Sequence, residues 1–434
     1  MSVADLAIVA ALIFAWGTVS ARLERFDVTA PIIFVLAGLL LTHGPLSVLA
    51  FAPSNELIKK LAEFTLALVL FSDASRVGLH ELRVDSGLYV RLLGGALPLT
   101  IALGTLLALT LPGISFWLAL LIGAALAPTD AALGAGMMAN PLVPARIRRL
   151  VNVESGLNDG IATPFVSIAL AGAATSDHGT GHGAAAAVAE LAVGIAVGVA
   201  AGGGGGMLVN AARRRGWVAE GFAGAAVLGL AVCAYASAVA IHGNGFIAAF
   251  TGGLAFGTTG GQRGKPLVPF VEESGALVSL LVWLAFGAVA VLPTIKTLTW
   301  QMVLYAILSL TVVRMAPVAL ALTGARLGRA TVLLVAWFGP RGLASVVFAL
   351  LAVEELGSPA ADSAVAVITV TVLLSVIVHG ASAEPLAARY AKLLAQRPTG
   401  HAGTSMPDMP DRRLTRRKSP APGGHAKSGP EPRA

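Results

Sequence analysis

The chain has 434 residues, of which 56% are hydrophobic and 12% charged, and its mean hydropathy is +0.81. Soluble domains are about 25% charged, so the composition excludes a soluble globular enzyme, a disordered chain and a disulfide scaffold. The formal net charge is +7, but eight Lys/Arg and three Asp/Glu fall from Arg397 onward. Most of the excess therefore belongs to a Pro-, Gly- and Ser-rich tail and not to a nucleic-acid-binding face.

A membrane-spanning helix needs roughly 20 apolar residues. Runs such as LAIVAALIFAW and VITVTVLLSVIV are continuous, not alternating, which argues for helices and against a transmembrane β-barrel. In chain order the predicted spans cover 3–21, 29–50, 56–73, 87–111, 115–139, 152–174, 184–210, 218–240, 243–258, 274–292, 300–324, 330–353 and 359–388. The fold class is an all-α polytopic membrane protein of about 13 transmembrane helices. The first span lacks a basic leader and is long enough to cross, so no signal peptide is expected.

Loop charges test the count. One set of alternate connections carries Arg22/Arg25, Arg76/Arg83/Arg91, Arg146/Arg148/Arg149, Arg213/Arg214/Arg215, Arg263/Lys265 and Arg326/Arg329. The other set has Lys59, Lys60 and Lys296. This asymmetry puts the N-terminus outside and the C-terminus in the cytoplasm of the cell (inner) membrane. An odd number of spans fits that orientation. The tail over 393–434, with Arg412, Arg413, Arg416, Arg417 and Lys418, reads as a disordered cytoplasmic segment within reach of anionic membrane lipid. The single cysteine, Cys233, reads as a small core residue.

Two spans are interrupted. Span 5 holds Pro128, Thr129 and Asp130, and span 12 holds Gly339, Pro340, Arg341 and Gly342. Proline removes a donor and clashes with the preceding turn, and unwound backbone at membrane depth survives only where protein or a watered cavity satisfies it. The breaks lie seven spans apart, so their helices run in opposite directions, the pattern of inverted repeats around a midplane site. Ordinary proline kinks are the bland alternative.

Charge inside a span is costly and reads as functional by default. Asp130, Asp159, Arg314 and Arg341 all fall near the middle of a roughly 30 Å core. In Glu154-Ser155-Gly156-Leu157-Asn158-Asp159, Ser155 and Asp159 share a helix face at i, i+4. A carboxylate and a hydroxyl one turn apart, with Asp130 and a Thr129 oxygen, form an all-oxygen set that suits a hard cation. Buried carboxylates also hold protons near neutral pH, and a close pair titrates as one unit. A site that takes either a proton or a cation is an exchanger.

Each residue has a structural alternative. Asp130 can cap the half-helix after the break, and Asp159 can be a buried hydrogen-bonding group. Glu154 is expected to be structural, paired with Arg341. Arg314 is expected to neutralise a carboxylate or to face helix C-terminal dipoles. Asp73 is expected to snorkel at the inner end of span 3, and His242 to be a surface histidine. The run Gly202–Gly206 lacks the Gly-Lys-Ser/Thr ending of a phosphate loop and reads as close helix packing.

These segments resemble the monovalent cation:proton antiporters of the NhaP/NHE, or sodium/hydrogen exchanger, type. The likeness rests on Ala127-Pro128-Thr129-Asp130-Ala131, Glu154-Ser155-Gly156-Leu157-Asn158-Asp159-Gly160, Gly245-Phe246-Ile247-Ala248-Ala249-Phe250 and Trp337-Phe338-Gly339-Pro340-Arg341-Gly342, and it covers nearly all of residues 3–390. It departs at Phe71-Ser72-Asp73-Ala74-Ser75, where a Phe-Glu-Gly-Gly-like stretch is common. The resemblance implies a secondary transporter and not an enzyme, usually a homodimer, with no cofactor. Na+, or Li+ or K+, and H+ would be its transported partners, and no nucleic acid would be involved. It implies scaffold and dimerisation helices over 1–86 and 175–299 and a mobile core over 87–174 and 300–392. Asp159, Asp130, Ser155 and Thr129 would bind the cation, supported by Asn158, Glu154, Arg341 and Arg314, with Glu154 and Arg341 as an ion pair. An Asn-Asp pair at 158–159 would go with electroneutral 1:1 exchange. The competing reading is a sodium-coupled organic-anion symporter on a related fold.

Overall fold

The computed structural model describes residues 3–23, 28–43, 55–77, 85–134, 137–138, 143–178, 184–260, 264–356 and 359–395. The expectations for Arg25, Arg83, Arg263 and the basic tail lie outside these residues. Fourteen helices and no strand are found among the described residues. They are α1 Val3–Leu23, α2 Ala30–His43, α3 Asn55–Arg76, α4 Ser86–Ala108, α5 Phe116–Ala125, α6 Ala145–His178, α7 Ala184–Arg214, α8 Glu220–Ala240, α9 Gly245–Thr259, α10 Val268–Lys296, α11 Trp300–Ala321, α12 Arg329–Trp337, α13 Leu343–Leu356 and α14 Pro359–Ala395.

Eight of them (α1, α4, α6, α7, α8, α10, α11 and α14) are long and apolar enough to cross a membrane by length and composition. The shorter apolar helices α2, α5 and α9 have 10–17 residues. Predicted span 12 is two helices, α12 and α13, with an unwound stretch between them. Helix α6 starts at Ala145, not at 152, because Arg146, Arg148 and Arg149 belong to its first turns. Its 34 residues run about 51 Å at 1.5 Å per residue, so its charged end projects beyond a hydrocarbon core of roughly 30 Å.

Side-chain caps fix several helix starts. Ser115 Oγ accepts from the Leu118 amide at 3.4 Å, Asn244 Oδ1 from Ile247 at 3.0 Å, and Thr299 Oγ1 from Met302 at 3.4 Å. In packing, α7 lies along α9, α9 along α3, and α3 and α2 along α10, while α4 packs on α5, α5 on α6, and α14 on α5, α11 and α13.

Glycine lets α9 touch its neighbours backbone to backbone. A Cβ on Gly198 or Gly202 of α7 would enter the backbone of Ala248 and Gly252, and one on Gly253 or Gly257 of α9 would enter the carbonyls of Phe71 and Ser75 on α3. Small residues at such crossings are how helices associate closely in lipid. Helix α6 likewise turns Gly156 to the Asp73 side chain and Gly160 to the Phe250 ring. Cys233 is exposed on α8, not a core residue, because it lies on a face of this helix that the described part of the chain does not cover.

Candidate functional site

Helix α5 ends at Ala125 and the chain stays unwound through Asp130 before a 3₁₀ turn over Ala131–Gly134. Helix α12 ends at Trp337 and the chain is unwound until α13 begins at Leu343. The two breaks cross: the Asp130 amide donates to the Pro340 carbonyl at 2.8 Å. Glycine is required on one side of this crossing, since a Cβ on Gly342 would collide with the Asp130 carboxylate. The Leu343 amide, at the start of α13, is 3.5 Å from Asp130 Oδ2. Asp130 thus faces the N-terminus of the other broken helix, an electropositive place for a carboxylate.

Unwound backbone buried here must find partners, and side chains supply them. Ser345 Oγ donates to Ala125 O at 2.6 Å. Arg341 Nη1 donates to Ala127 O at 2.9 Å and Pro128 O at 3.1 Å. Ser155 of α6 does two things at once: its hydroxyl donates to Thr129 O at 2.6 Å and accepts from the Ala131 amide at 2.7 Å. Asn158 Nδ2 donates to Thr129 Oγ1 at 2.7 Å. The predicted residues Thr129, Asp130, Ser155, Asn158 and Arg341 therefore meet at one crossing. Asp159 follows Asn158 directly and lies one turn beyond Ser155 on α6. It is buried, and its own carbonyl accepts from Thr163 Oγ1 at 2.7 Å. Asn158 Oδ1 is buried without a hydrogen-bond partner, as are Arg341 Nε and Nη2.

The predicted Glu154–Arg341 pair does not form. Glu154 Oε1 accepts from Arg314 Nη2 at 2.6 Å, with 4% and 2% of the two side chains exposed. The widened π-helical turn Ser309–Val313 leads directly into Arg314, and Gly339 leaves its guanidinium room, since a Cβ there would lie 2.6 Å from Arg314 Nε. Arg341 instead takes the role considered for Arg314, facing the open carbonyls at the end of a half-helix.

Asp73 is also corrected. It does not snorkel: it is buried, its side chain rests against Gly156, and with Arg76, Val77, Asn152, Val153 and Gly156 it lines a cavity of about 20 Å³. Arg76 in the same cavity pairs with Glu272 of α10. Sequence reasoning also passed over Ser375 and His379 of α14. Both are buried, and they bond the second break. The signal was present as two polar residues four apart inside an apolar run. Among the described residues no three His, Cys, Asp or Glu side chains converge as a multivalent-metal site would need.

The family model for the transmembrane region of sodium/hydrogen exchangers matches residues 8–389. The chain belongs to the sodium/hydrogen exchanger family. Its fold is that of the sodium proton antiporter MjNhaP1 from Methanocaldococcus jannaschii. The structure of that protein at pH 8 superposes with a TM-score of 0.73 at 20% identity, over 89% of this chain and 98% of that one. A second structure of MjNhaP1, from electron microscopy, gives 0.67 at 19% identity, over 92% and 100%. The Na(+)/H(+) antiporter 2 of Zygosaccharomyces rouxii is 40% identical over 62 residues, 14% of this chain and 8% of that protein's length. The exchanger is thus a multi-pass membrane protein whose two helix breaks cross beside a buried acidic helix.

Proposed function

We propose that this exchanger is a secondary antiporter that trades Na+, with Li+ and K+ as further candidates, for H+. Asp130 and Asp159 supply the charge, Ser155 and Thr129 the neutral oxygens, and cation and proton compete for the same carboxyls. The observation that carries this reading is Ser155 Oγ bridging Thr129 O and the Ala131 amide. That bridge ties the first break, with its Thr129 oxygens and Asp130, to α6, the helix that carries Asp159. Hard oxygens of this kind suit an alkali cation, and carboxylates in low dielectric hold a proton when no cation is present.

Charge balance supports electroneutral 1:1 exchange. With every group ionised, Asp130, Glu154 and Asp159 carry three negative charges and Arg314 and Arg341 two positive ones. One proton or one monovalent cation restores neutrality. Membership in an exchanger family leaves the organic-anion symporter without support. In this reading residues 87–174 and 300–392 move as the core against 1–86 and 175–299, with the N-terminus outside, the C-terminus in the cytoplasm, and a homodimer formed through the scaffold. In the same reading Arg76, one of the basic residues assigned to the cytoplasmic side, puts the small cavity it lines on that side.

Inside-out vesicles with an acid interior test the proposal by fluorescence dequenching on addition of NaCl, LiCl, KCl or choline chloride. A cation-specific collapse of the gradient that vanishes in Asp159→Asn is expected. No response to any of the cations between about pH 6 and 9, the range over which a buried carboxyl titrates, would overturn it.

A further inference from the structure

We propose that His379 is a positioning residue for the cation site: a splint that holds the two ends of the α12–α13 break together and so sets the place of Asp130. The inference rests on the exchange reading above but concerns a residue that touches neither ion.

The ring is 1% exposed and bonded at both nitrogens. Nε2 lies 3.1 Å from the carbonyl of Trp337, the last residue of α12. A carbonyl only accepts, so Nε2 carries the hydrogen. In the neutral ring Nδ1 is then an acceptor; it lies 3.1 Å from Ser375 Oγ, which can donate to it, and 3.1 Å from the Ser375 carbonyl, which cannot. That hydroxyl accepts from the Arg341 amide at 2.7 Å, which leaves its own hydrogen for Nδ1. The bonds form one directed series: Arg341 N–H to Ser375 O–H to His379, and His379 N–H to Trp337 O.

Trp337 and Arg341 are the two anchored ends of the unwound stretch. Between them is Pro340, whose carbonyl receives the Asp130 amide. The Trp337 ring lies over the imidazole at 5.2 Å between centroids, and its Nε1 donates to Ser382 Oγ at 3.0 Å. Residues 375, 379 and 382 stand at i, i+4 and i+7 on α14, so one continuous helix grips both ends of a discontinuous one. Second-layer bonds of this kind hold ligand-bearing segments within the few tenths of an ångström that coordination needs. Within the stretch the Phe338 amide still bonds to Leu334 O and the Gly339 amide to Trp337 O, and the bonds from α14 are what tie its Trp337 end to its Arg341 end.

The test is Na+-driven proton movement in proteoliposomes, with KM and maximal rate measured separately. His379→Ala removes both bonds and is expected to raise the KM for Na+ about tenfold at nearly unchanged maximal rate, the effect of losing a buried hydrogen bond or two. His379→Gln keeps an N–H donor within reach of Trp337 O and is expected to bring KM back to within about threefold of wild type. A KM in His379→Ala equal to wild type overturns the proposal, as does a KM that stays high in His379→Gln. Ser375→Ala covers the case in which His379→Ala does not fold: it keeps the imidazole, cuts the tie to Arg341, and an unchanged KM there overturns the splint. A wild type that moves no protons with Na+, Li+ or K+ fails the exchange reading itself, before any variant is compared, and takes this inference with it; where Li+ or K+ is the active cation, the same KM comparison is made with it.

Discussion

Glu154 and Arg314 meet at 2.6 Å in a nearly water-free setting, while Arg341, also buried, is bonded to the carbonyls of Ala127 and Pro128. The two arginines of the core therefore do different jobs. One cancels a charge, and the other replaces the helical hydrogen bonds that the first break gives up.

Removing Arg314 leaves Glu154 charged and buried. Breaking a buried ion pair from one side costs about 3–5 kcal/mol. Arg314→Ala is expected to lower the yield and melting temperature of purified protein, and a second change, Glu154→Gln, should recover much of the loss. If Glu154→Gln gives no recovery, the pair is not what stabilises this region.

Asp130 carries charge at the start of α13 and backbone at the crossing. Asp130→Asn keeps the shape and the Pro340 contact but deletes the charge. Folded protein at wild-type yield with no detectable exchange is the expected result, read by size-exclusion profile and vesicle assay together. Retained transport would place the ion elsewhere.

Gly202 sits where α7 and α9 touch through their backbones. Gly202→Leu forces the helices apart, and overpacking of this kind costs about 1–3 kcal/mol. A fall in melting temperature is expected. No change would mean that the α7–α9 approach is looser than described.

Glu355 lies two residues past the predicted end of span 12 and pairs with Lys59 of α3 at 3.3 Å. Desolvation raises its pKa above the ordinary 4.5, against the opposing pull of Lys59, and Glu63 and Glu354 push it the same way. A raised carboxyl binds its proton more tightly folded than unfolded. The folded state therefore loses stability as pH rises from 4.5 through the folded value, and lowering pH restores it. Glu355→Gln has no such dependence. The melting temperature of the variant should gain on wild type as pH rises through that window, although a salt bridge has been removed. The side chain is partly exposed, so the gain is small. A variant that loses ground with rising pH would mean that Lys59 outweighs desolvation.

The breaks and the acidic helix were legible because their signals are local. Proline, glycine and charge inside an apolar run stand out wherever the helix packs, and Ser155 and Asp159 fall on one face by spacing alone. Pairing was not legible. Arg314 and Arg341 are both far from Glu154 in sequence, and the choice between them depends on how α11 passes the second break. Asp73 was misjudged because its position near a helix end suggested access to water, whereas Gly156 lets α6 close over it. His379 was overlooked because a lone histidine in an apolar span gives no direction. Only the structure shows that it faces the last carbonyl of α12, at the edge of the break.

The glycines of α6 have a mechanical consequence. Helix α9 is clamped on two flanks, against α7 and against α3, so neither of those contacts can slide without the backbones themselves colliding. On the opposite side Gly156 and Gly160, one turn apart, leave α6 with almost no relief where it meets Asp73 and Phe250. Interlocked side chains would have to climb over one another for α6 to shift along its axis. At these two points α6 offers only hydrogens to the Asp73 side chain and the Phe250 ring, so a shift there would have fewer side chains of its own to carry past its neighbours.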